Sequence, residues 1–399
     1  NQTELQFTFK VFSNSDPTTR VTIKDADAFQ IDEKTGVEGI IKTLTVSSRR
    51  YATSICEQIR DWNQLVSIAK PALSSKRDIL TQHNHGNIAV GQGIYNIGDE
   101  NIPADRLATL RTNDASLQRK FYQCEQAGAN PVQYIGWDCS INLYSGIFLQ
   151  DKLDLRLFGG LEIEIELGSN LNFFENANNN ISYEISDVIL NCPFLYKADS
   201  ELASGVQPSS IQFLTWNSLY NVAQSTDTTV TNKVGIRSVL SMIQKFVPVS
   251  MINNSAANAK AFAGFNPGIK RLTYHRNGQR YPLEYEIKTE RGDANPDQEA
   301  IHEKNPMVLL NSLSAFQNYK DVKHSTITSQ NLDNRPNAPY FLGVSFDQIS
   351  GQGIDLTGGT VSTELVSTLQ DPNDNVAKPF GVYTFFLNKN TLVIQPNNR

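Results

Sequence analysis

The stretch that most constrains this chain is LEIEIEL, residues 161–167, together with the strand-like runs on either side of it. Leu161, Ile163, Ile165 and Leu167 alternate with Glu162, Glu164 and Glu166. A period of two places the apolar side chains on one face of an extended chain and the carboxylates on the other, which specifies a half-buried β-strand. Gly159-Gly160 before it and Gly168-Ser169-Asn170 after it supply turns. From Trp137 to Tyr196 the sequence reads as strand after strand with no helix: WDCSINLYSGIFLQ, then DKLDLRLFGGLEIEIEL, then ISYEISDVILNCPFLY, in which Pro193 ends the run or places it on an edge. A sheet with one apolar face must bury it against another layer, so a β-sandwich is expected.

At 399 residues the chain exceeds one ordinary sandwich and suits two domains of about 200 residues each. The small, polar stretch ADSELASGVQPSS reads as the link between them and divides the chain into 1–205 and 206–399. Each half runs through the same events: opening strands, an excursion containing a helix, then paired strands. In the first half LQFTFKVF opens as a strand that serves as an amino-terminal arm over residues 1–12, followed by TRVTIKDADAF and GIIKTLTVSSRRYA. Ile55, Ile59, Trp62, Val66 and Ala69 then recur at helical spacing, which predicts a helix over 54–70 capped by Thr53 or Ser54 and ended or kinked by Pro71. Residues 81–131 form a long excursion holding the strand candidate NIAVGQGIYNIG. In the second half IQFLTWNSLYNVA and TTVTNKVGIRSVLSMIQKFVPV each read as one strand. GIKRLTYHRNGQRYPLEYEI reads as a hairpin through its Arg-Asn-Gly turn. EAIHEKNPMVLLNSLSAFQNY carries a short helix, PYFLGVSFDQI and TVSTELVSTL are strands, and GVYTFFLNKNTLVIQPNN reads as a closing hairpin through Asn388-Lys389-Asn390.

Composition narrows the function. Apolar residues make up 39% of the chain and charged ones 19%, enough for packed cores and unlike a disordered chain. The net charge of −6 argues against a dedicated nucleic-acid binder, though it allows a locally basic inner wall. Asparagine gathers in the predicted loops, where it tolerates left-handed backbone; the sequons at Asn1, Asn180 and Asn253 are read as chance. Cys56, Cys124, Cys139 and Cys192 show no CxxC or other metal spacing and fit buried free thiols in a reducing compartment. No signal-peptide pattern opens the sequence and no run approaches the roughly 18 apolar residues of a membrane span; a start at Asn1 rather than Met is what trimming would leave.

The chemistry-bearing residues form no catalytic constellation. His83 and His85 lack a third ligand at a supporting spacing and read as a solvated loop, and His275, His302 and His324 are scattered. The Glu162, Glu164 and Glu166 row is the wet face of an alternating strand rather than a glycosidase pair. The glycines from Gly351 to Gly359 have strand patterns on both sides, so they form a connecting turn rather than a phosphate cradle. Arg49-Arg50, Lys270-Arg271 and Arg276 to Arg280 have tyrosine neighbours but read as solvated or interfacial spots. Trp62, Trp137 and Trp216 sit in apolar patterns and suit core positions. No catalytic, cofactor-binding or metal-binding residue is assigned, and no cofactor is expected.

With these residues in view, the chain resembles the double jelly-roll major capsid proteins of tailless icosahedral double-stranded DNA viruses, in particular the polinton-like virus and virophage branch. The likeness spans nearly the whole chain and is carried by SINLYSGIFLQDKLDLRLFGGLEIEIEL and SYEISDVILNCPFLY in the first half. In the second half it is carried by LTYHRNGQRYPLEYEI and YFLGVSFDQISGQGIDLTGGTVSTELVSTL. It implies an all-β fold of two consecutive eight-stranded jelly rolls with short inserted helices. It also implies a homotrimer with pseudo-hexameric outline, contacts with neighbouring capsomers, penton and minor capsid proteins, location in the virion after assembly inside the host cell, and no enzymatic activity. The family has no catalytic residues to carry over and no small-molecule substrate, and any nucleic-acid contact is non-specific, on the inner face. Loops 81–131 and 292–340 and the helix over 54–70 are expected to supply contact surface, and the arm and basic spots to face the interior or a neighbour. The alternatives are a secreted carbohydrate-binding or adhesin β-sandwich, a β-sandwich hydrolase and, within the viral class, a minor or penton protein.

Overall fold

The computed structural model describes residues 3–13, 30–31, 35–49, 54–73, 135–143, 145–150, 153–155, 158–169, 174–175, 181–193, 209–224, 227, 229–248, 262, 264, 269–276, 279–280, 312–316, 341–346, 353–365 and 379–394. Sixteen strands are described and all pair antiparallel. The second half shows the architecture in full. Its strands are β9 (Ser209–Ala223), β10 (Thr229–Val234), β11 (Val239–Pro248), β12 (Ile269–Arg276), β13 (Gln279–Arg280), β14 (Leu342–Ser345), β15 (Gly359–Leu365) and β16 (Phe380–Ile394). They form two sheets, β14-β11-β16-β9 and β10-β15-β12-β13. Counted as positions 1 to 8, these are the orders 6-3-8-1 and 2-7-4-5. The chain alternates between two facing sheets and brings its last strand between its first and third. That is a complete jelly roll.

The first half repeats this order with a difference. Its strands are β1 (Glu4–Ser13), β2 (Gln30–Ile31), β3 (Ile41–Ser48), β4 (Ile55–Ile59), β5 (Ile135–Asn142), β6 (Leu161–Leu167), β7 (Phe174–Glu175) and β8 (Ile181–Asn191). The sheets are β5-β1-β8 and β4-β3-β6, with β2 and β7 forming a separate two-stranded ribbon. Matched to the second roll, β1, β3, β4, β5, β6 and β8 occupy positions 3 to 8, giving the orders 6-3-8 and 5-4-7. The helices match too: α1 (Trp62–Leu73) lies between positions 5 and 6, as the helical turn at 312–316 does in the second roll. The chain is therefore an all-β double jelly roll. Six strands of the first roll's sandwich lie among the described residues.

Burial explains which sequence patterns are legible. Between the sheets of the first roll lie Phe7 and Phe9 of β1 with Leu44 of β3 and Ile59 of β4. Between those of the second lie Met242, Phe246, Val361 and Phe386. The outer face of β14-β11-β16-β9 is covered as well: Ile243, Tyr383, Phe385 and Leu387 join one apolar cluster with Trp62, Leu65 and Val66 of α1. Residues 381–388 of β16 are thus buried on both faces, and GVYTFFLN is a continuous apolar run where the one-sided β6 alternates.

Several expectations are corrected. The amino-terminal arm over 1–12 does not exist as such: β1 is the central strand of its sheet, paired along its length with β5 and β8, and Phe9 is fully buried. The helix over 54–70 begins only at Trp62. Ile55 and Ile59 lie on β4, paired with β3, and Asp61 in left-handed backbone (φ 52°) turns the chain between strand and helix. Pro71 does not end α1, which continues to Leu73; its missing amide is offset by burial of Ala72 and Leu73. The closing hairpin at Asn388-Lys389-Asn390 is instead the middle of one 15-residue strand, held straight by residue-for-residue pairing with the equally long β9. TTVTNKVGIRSVLSMIQKFVPV is two strands, β10 and β11, divided at 235–238. The strand run from Trp137 is interrupted: residues 146–149 and 158–159 are turns. The hairpin at Arg276-Asn277-Gly278 is present, pairing Arg276 with Gln279.

Candidate functional site

The described residues concentrate their buried charges at the seam where α1 fills the space between the two rolls. Lys245 on β11 points out of the second roll toward α1, and its fully buried ammonium donates to Gln64 Oε1 (2.8 Å), Ser67 Oγ (2.5 Å) and the Phe262 carbonyl (2.8 Å). Three acceptors match the three protons of an ammonium, which lets the charge lie in an apolar seam. One turn of helix away, Lys70 reaches the Thr35 carbonyl (3.1 Å) and Glu38 Oε1 (3.3 Å). Burial pushes the Glu38 carboxyl up and the Lys70 ammonium down, each countered by the charge of the other. Asp61 accepts a hydrogen bond from Ser218 of β9 (2.8 Å), a further polar tie between the rolls.

A third buried charge, Glu57 of β4, organises the chain after β5. Its carboxylate accepts from the Ser145 hydroxyl and from the amides of Gly146 (2.9 Å) and Ile147 (3.2 Å). Burial raises its pKa, and these bonds with one from Thr215 of β9 oppose the rise. The turn they hold lies so close to β9 that a Cβ on Gly146 would come within 1.7 Å of the Leu214 carbonyl oxygen. Lys245, Lys70, Glu38 and Glu57 are buried at this seam and each is engaged by protein groups, with Glu38 Oε2 left without a hydrogen-bond partner. The arrangement ties the two rolls together, and its chemistry is adhesive.

The residues weighed from the sequence lie elsewhere. Glu162, Glu164 and Glu166 are exposed on the wet face of β6; Lys42 (2.7 Å) and Thr43 (2.9 Å) bind Glu166 and lower its pKa. Gly353 and Gly358 adopt positive φ between β14 and β15, where the described residues form no helix for a phosphate to sit against. His83, His85, His302 and His324, loop 81–131 and all of loop 292–340 except residues 312–316 lie outside the described residues, as does Cys124. Cys56, Cys139 and Cys192 are free thiols. Among the described residues no three His, Cys, Asp or Glu side chains group as a metal site, and no helix is long and apolar enough to cross a membrane. Trp62 and Trp216 are core residues, which removes them from any exposed aromatic platform for sugars. The contact-surface expectation for α1 is corrected: it is almost wholly buried within its own chain. Sequence reasoning missed the seam because its residues come from distant stretches; the Lys within the apolar run of β11 was the available signal.

Exposed large apolar side chains gather at strand edges, on Val188, Ile189 and Leu190 of β8 and on Tyr220 and Val222 of β9.

No family model matches the chain, and no curated protein matches it. Solved structures do. A chain of the Sputnik virophage, solved by cryo-electron microscopy, aligns with a TM-score of 0.55 at 11% identity over 98% of this chain and 80% of that one. The Faustovirus major capsid protein aligns at 0.47 with 7% identity over 98% and 85%. PBCV-1 VP54, fitted into a reconstruction of the virophage Sputnik, aligns at 0.47 with 9% identity over 98% and 87%. The first of these alignments shows a shared fold across both rolls.

Proposed function

We propose that this chain is a major capsid protein, a structural subunit whose homotrimers form pseudo-hexameric capsomers that tile an icosahedral virus shell. The observation that carries the reading is the repeat itself. One chain holds two jelly rolls that follow the same strand order at the positions described in both, and a virophage chain shares the fold over 98% of this chain. Two similar rolls per chain give a trimer six similar corners, the outline a hexagonal lattice needs. The rolls divide at 1–205 and 206–399, and the buried seam favours their acting as one stiff wall element. The partners are then two further copies, neighbouring capsomers, and penton and minor capsid proteins; the chain acts in the virion and carries no catalytic or cofactor-binding residue.

Light scattering on a size-exclusion column tests this. A species at three times 44.5 kDa that resists dilution, forming hexagonal arrays or shells under the electron microscope, is the expected result. A monomer at all concentrations that never forms such arrays overturns it.

A further inference from the structure

We propose that the mouth of the seam between the rolls, where Asp61 meets Tyr220 and Tyr383, binds one arginine side chain presented by another polypeptide. Both halves of the chain build it. Asp61 stands between β4 and α1, while Ser218 and Tyr220 on β9 and Tyr383 on β16 come from the second roll. Tyr220 and Tyr383 lie opposite each other in the β9–β16 register, their ring centroids 4.7 Å apart and the planes tilted by 41°. Ser218 and Tyr220 are two residues apart on one strand, so they share the face on which Ser218 holds the Asp61 carboxylate at 2.8 Å.

Asp61 has an acceptor to spare. A carboxylate just before a helix ordinarily caps the first amides. Asp61, in left-handed backbone (φ 52°), turns across the seam instead. Its one side-chain hydrogen bond among the described residues is the one Ser218 donates to Oδ2, which leaves Oδ1 for a ligand. The basic side chains next to the site in sequence and in register point elsewhere. Arg60 donates to Gln58 Oε1 (3.0 Å), and Lys245, the β11 partner of Tyr383, donates to Gln64, Ser67 and Phe262. The amino terminus of α1 adds about half a positive charge, less than the full negative charge of the carboxylate.

The aromatic wall is firm behind and open in front. Tyr383 is 7% exposed and stacks on Phe385 at 6.3 Å, whereas Tyr220 is 43% exposed and Val222, next along the same face, 42%. Among the described residues neither phenol hydroxyl has a hydrogen-bond partner. Burial first and then the Asp61 charge push both phenols up, which puts the carboxylate within electrostatic reach of both rings. A carboxylate oxygen beside an exposed tyrosine, with an apolar side chain adjoining, matches arginine group by group. The guanidinium pairs with the carboxylate and stacks on the ring, and the methylene stem lies on Val222. The ammonium of lysine would pair without stacking. Because the site is open over Tyr220 and Val222, the rest of the ligand lies outside it, as a polypeptide would.

The inference stands on these side chains and is independent of the capsid reading. Its test is saturation-transfer NMR on the whole chain with N-acetyl-arginine amide and with a blocked Ala-Arg-Ala peptide. Both should bind with roughly millimolar dissociation constants, and the neutral citrulline analogue about ten-fold more weakly. Asp61→Asn should also weaken binding about ten-fold; asparagine tolerates left-handed backbone and still accepts from Ser218, so the fold is kept. Tyr220→Leu should weaken it several-fold, whereas Tyr220→Phe, which keeps the ring, should stay within about two-fold. Equal binding of the citrulline analogue, or binding indifferent to Asp61→Asn and Tyr220→Leu, overturns the proposal. Spermidine or N-acetyl-lysine amide bound as tightly makes this a general ammonium site and overturns it too. So does exclusion of the peptide while the free amide binds, and so does a methyl glycoside whose binding depends on Tyr220 where arginine shows none.

Discussion

β8 and β16 hold the same place in their rolls, last in the chain and paired to the central strand, yet packing treats them in opposite ways. β16 is flanked by β11 and β9, with the core of its own roll on one face and α1 on the other. Among the described residues β8 has β1 on one side and no strand on the other. The same topological position is therefore a two-sided buried strand in one roll and a half-wet strand in the other. What a strand becomes depends on how many of its four sides are covered, and only part of that is written in its own residues.

The largest expected effect comes from removing the central strand of the first roll. Deleting residues 1–13 takes away β1, including buried Phe7 and Phe9, and leaves β5 and β8 without the strand that joins them. The protein should lose its cooperative unfolding transition and much of its β-sheet circular dichroism. A soluble chain with normal melting would mean that β1 is peripheral after all, and the correspondence between β1 and β11 would fail with it.

Within the covered strand, Phe386→Ala should cost about 3–5 kcal/mol in denaturant unfolding, because the ring is fully buried between the sheets of the second roll. At the seam, Lys245→Met removes a buried cation and leaves the Gln64, Ser67 and Phe262 oxygens without its protons, at an expected cost of about 2 kcal/mol. The exposed contrast is Lys42→Ala, whose pair with Glu166 is half in water and should be worth under about 1 kcal/mol. Equal costs for the two lysines would show that the seam is hydrated.

Much of this comparison was legible in the sequence. LEIEIEL announced a one-sided strand because water on one face demands carboxylates there. The Arg276-Asn277-Gly278 hairpin was legible because turn chemistry is local. Asn388-Lys389-Asn390 carries the same kind of signal and misleads, since β9 supplies a partner for each of these residues from about 170 positions away: Thr215, Leu214 and Phe213. Ile55 and Ile59 fit a helical stripe by spacing alone, and their pairing with β3 decides otherwise. The seam of Lys245, Lys70, Glu38 and Glu57 was illegible because periodicity does not say which distant segment meets a buried charge. The sheet orders were equally hidden, because a strand pattern does not say which strand lies beside which.

A smaller effect should appear at high pH. Tyr183 on β8 and Tyr383 on β16 are both partly desolvated, which pushes Tyr183 up to about 12 and Tyr383 higher still. The unfolded phenols ionise near pH 10 while the folded ones keep their protons. The folded state then binds more protons, and stability falls as pH rises from about 10 toward 12. Tyr183→Phe should flatten part of that slope, at the cost near neutrality of the hydrogen bond to the Gly168 carbonyl (2.6 Å). Unchanged slope in the variant would place the alkaline sensitivity in the second roll.

The smallest effect is the most discriminating. Ile189→Thr on β8 replaces an exposed β-branched side chain with another, so its expected cost is under about 0.5 kcal/mol. At a covered site the same change takes a polar hydroxyl into a packed sheet and should cost about 1–3 kcal/mol. Set beside Phe386→Ala, the number reports how far the surroundings of β8 differ from those of β16. A cost in the covered range would mean that Ile189 is packed in solution, and the contrast between the two strands would shrink to one of degree.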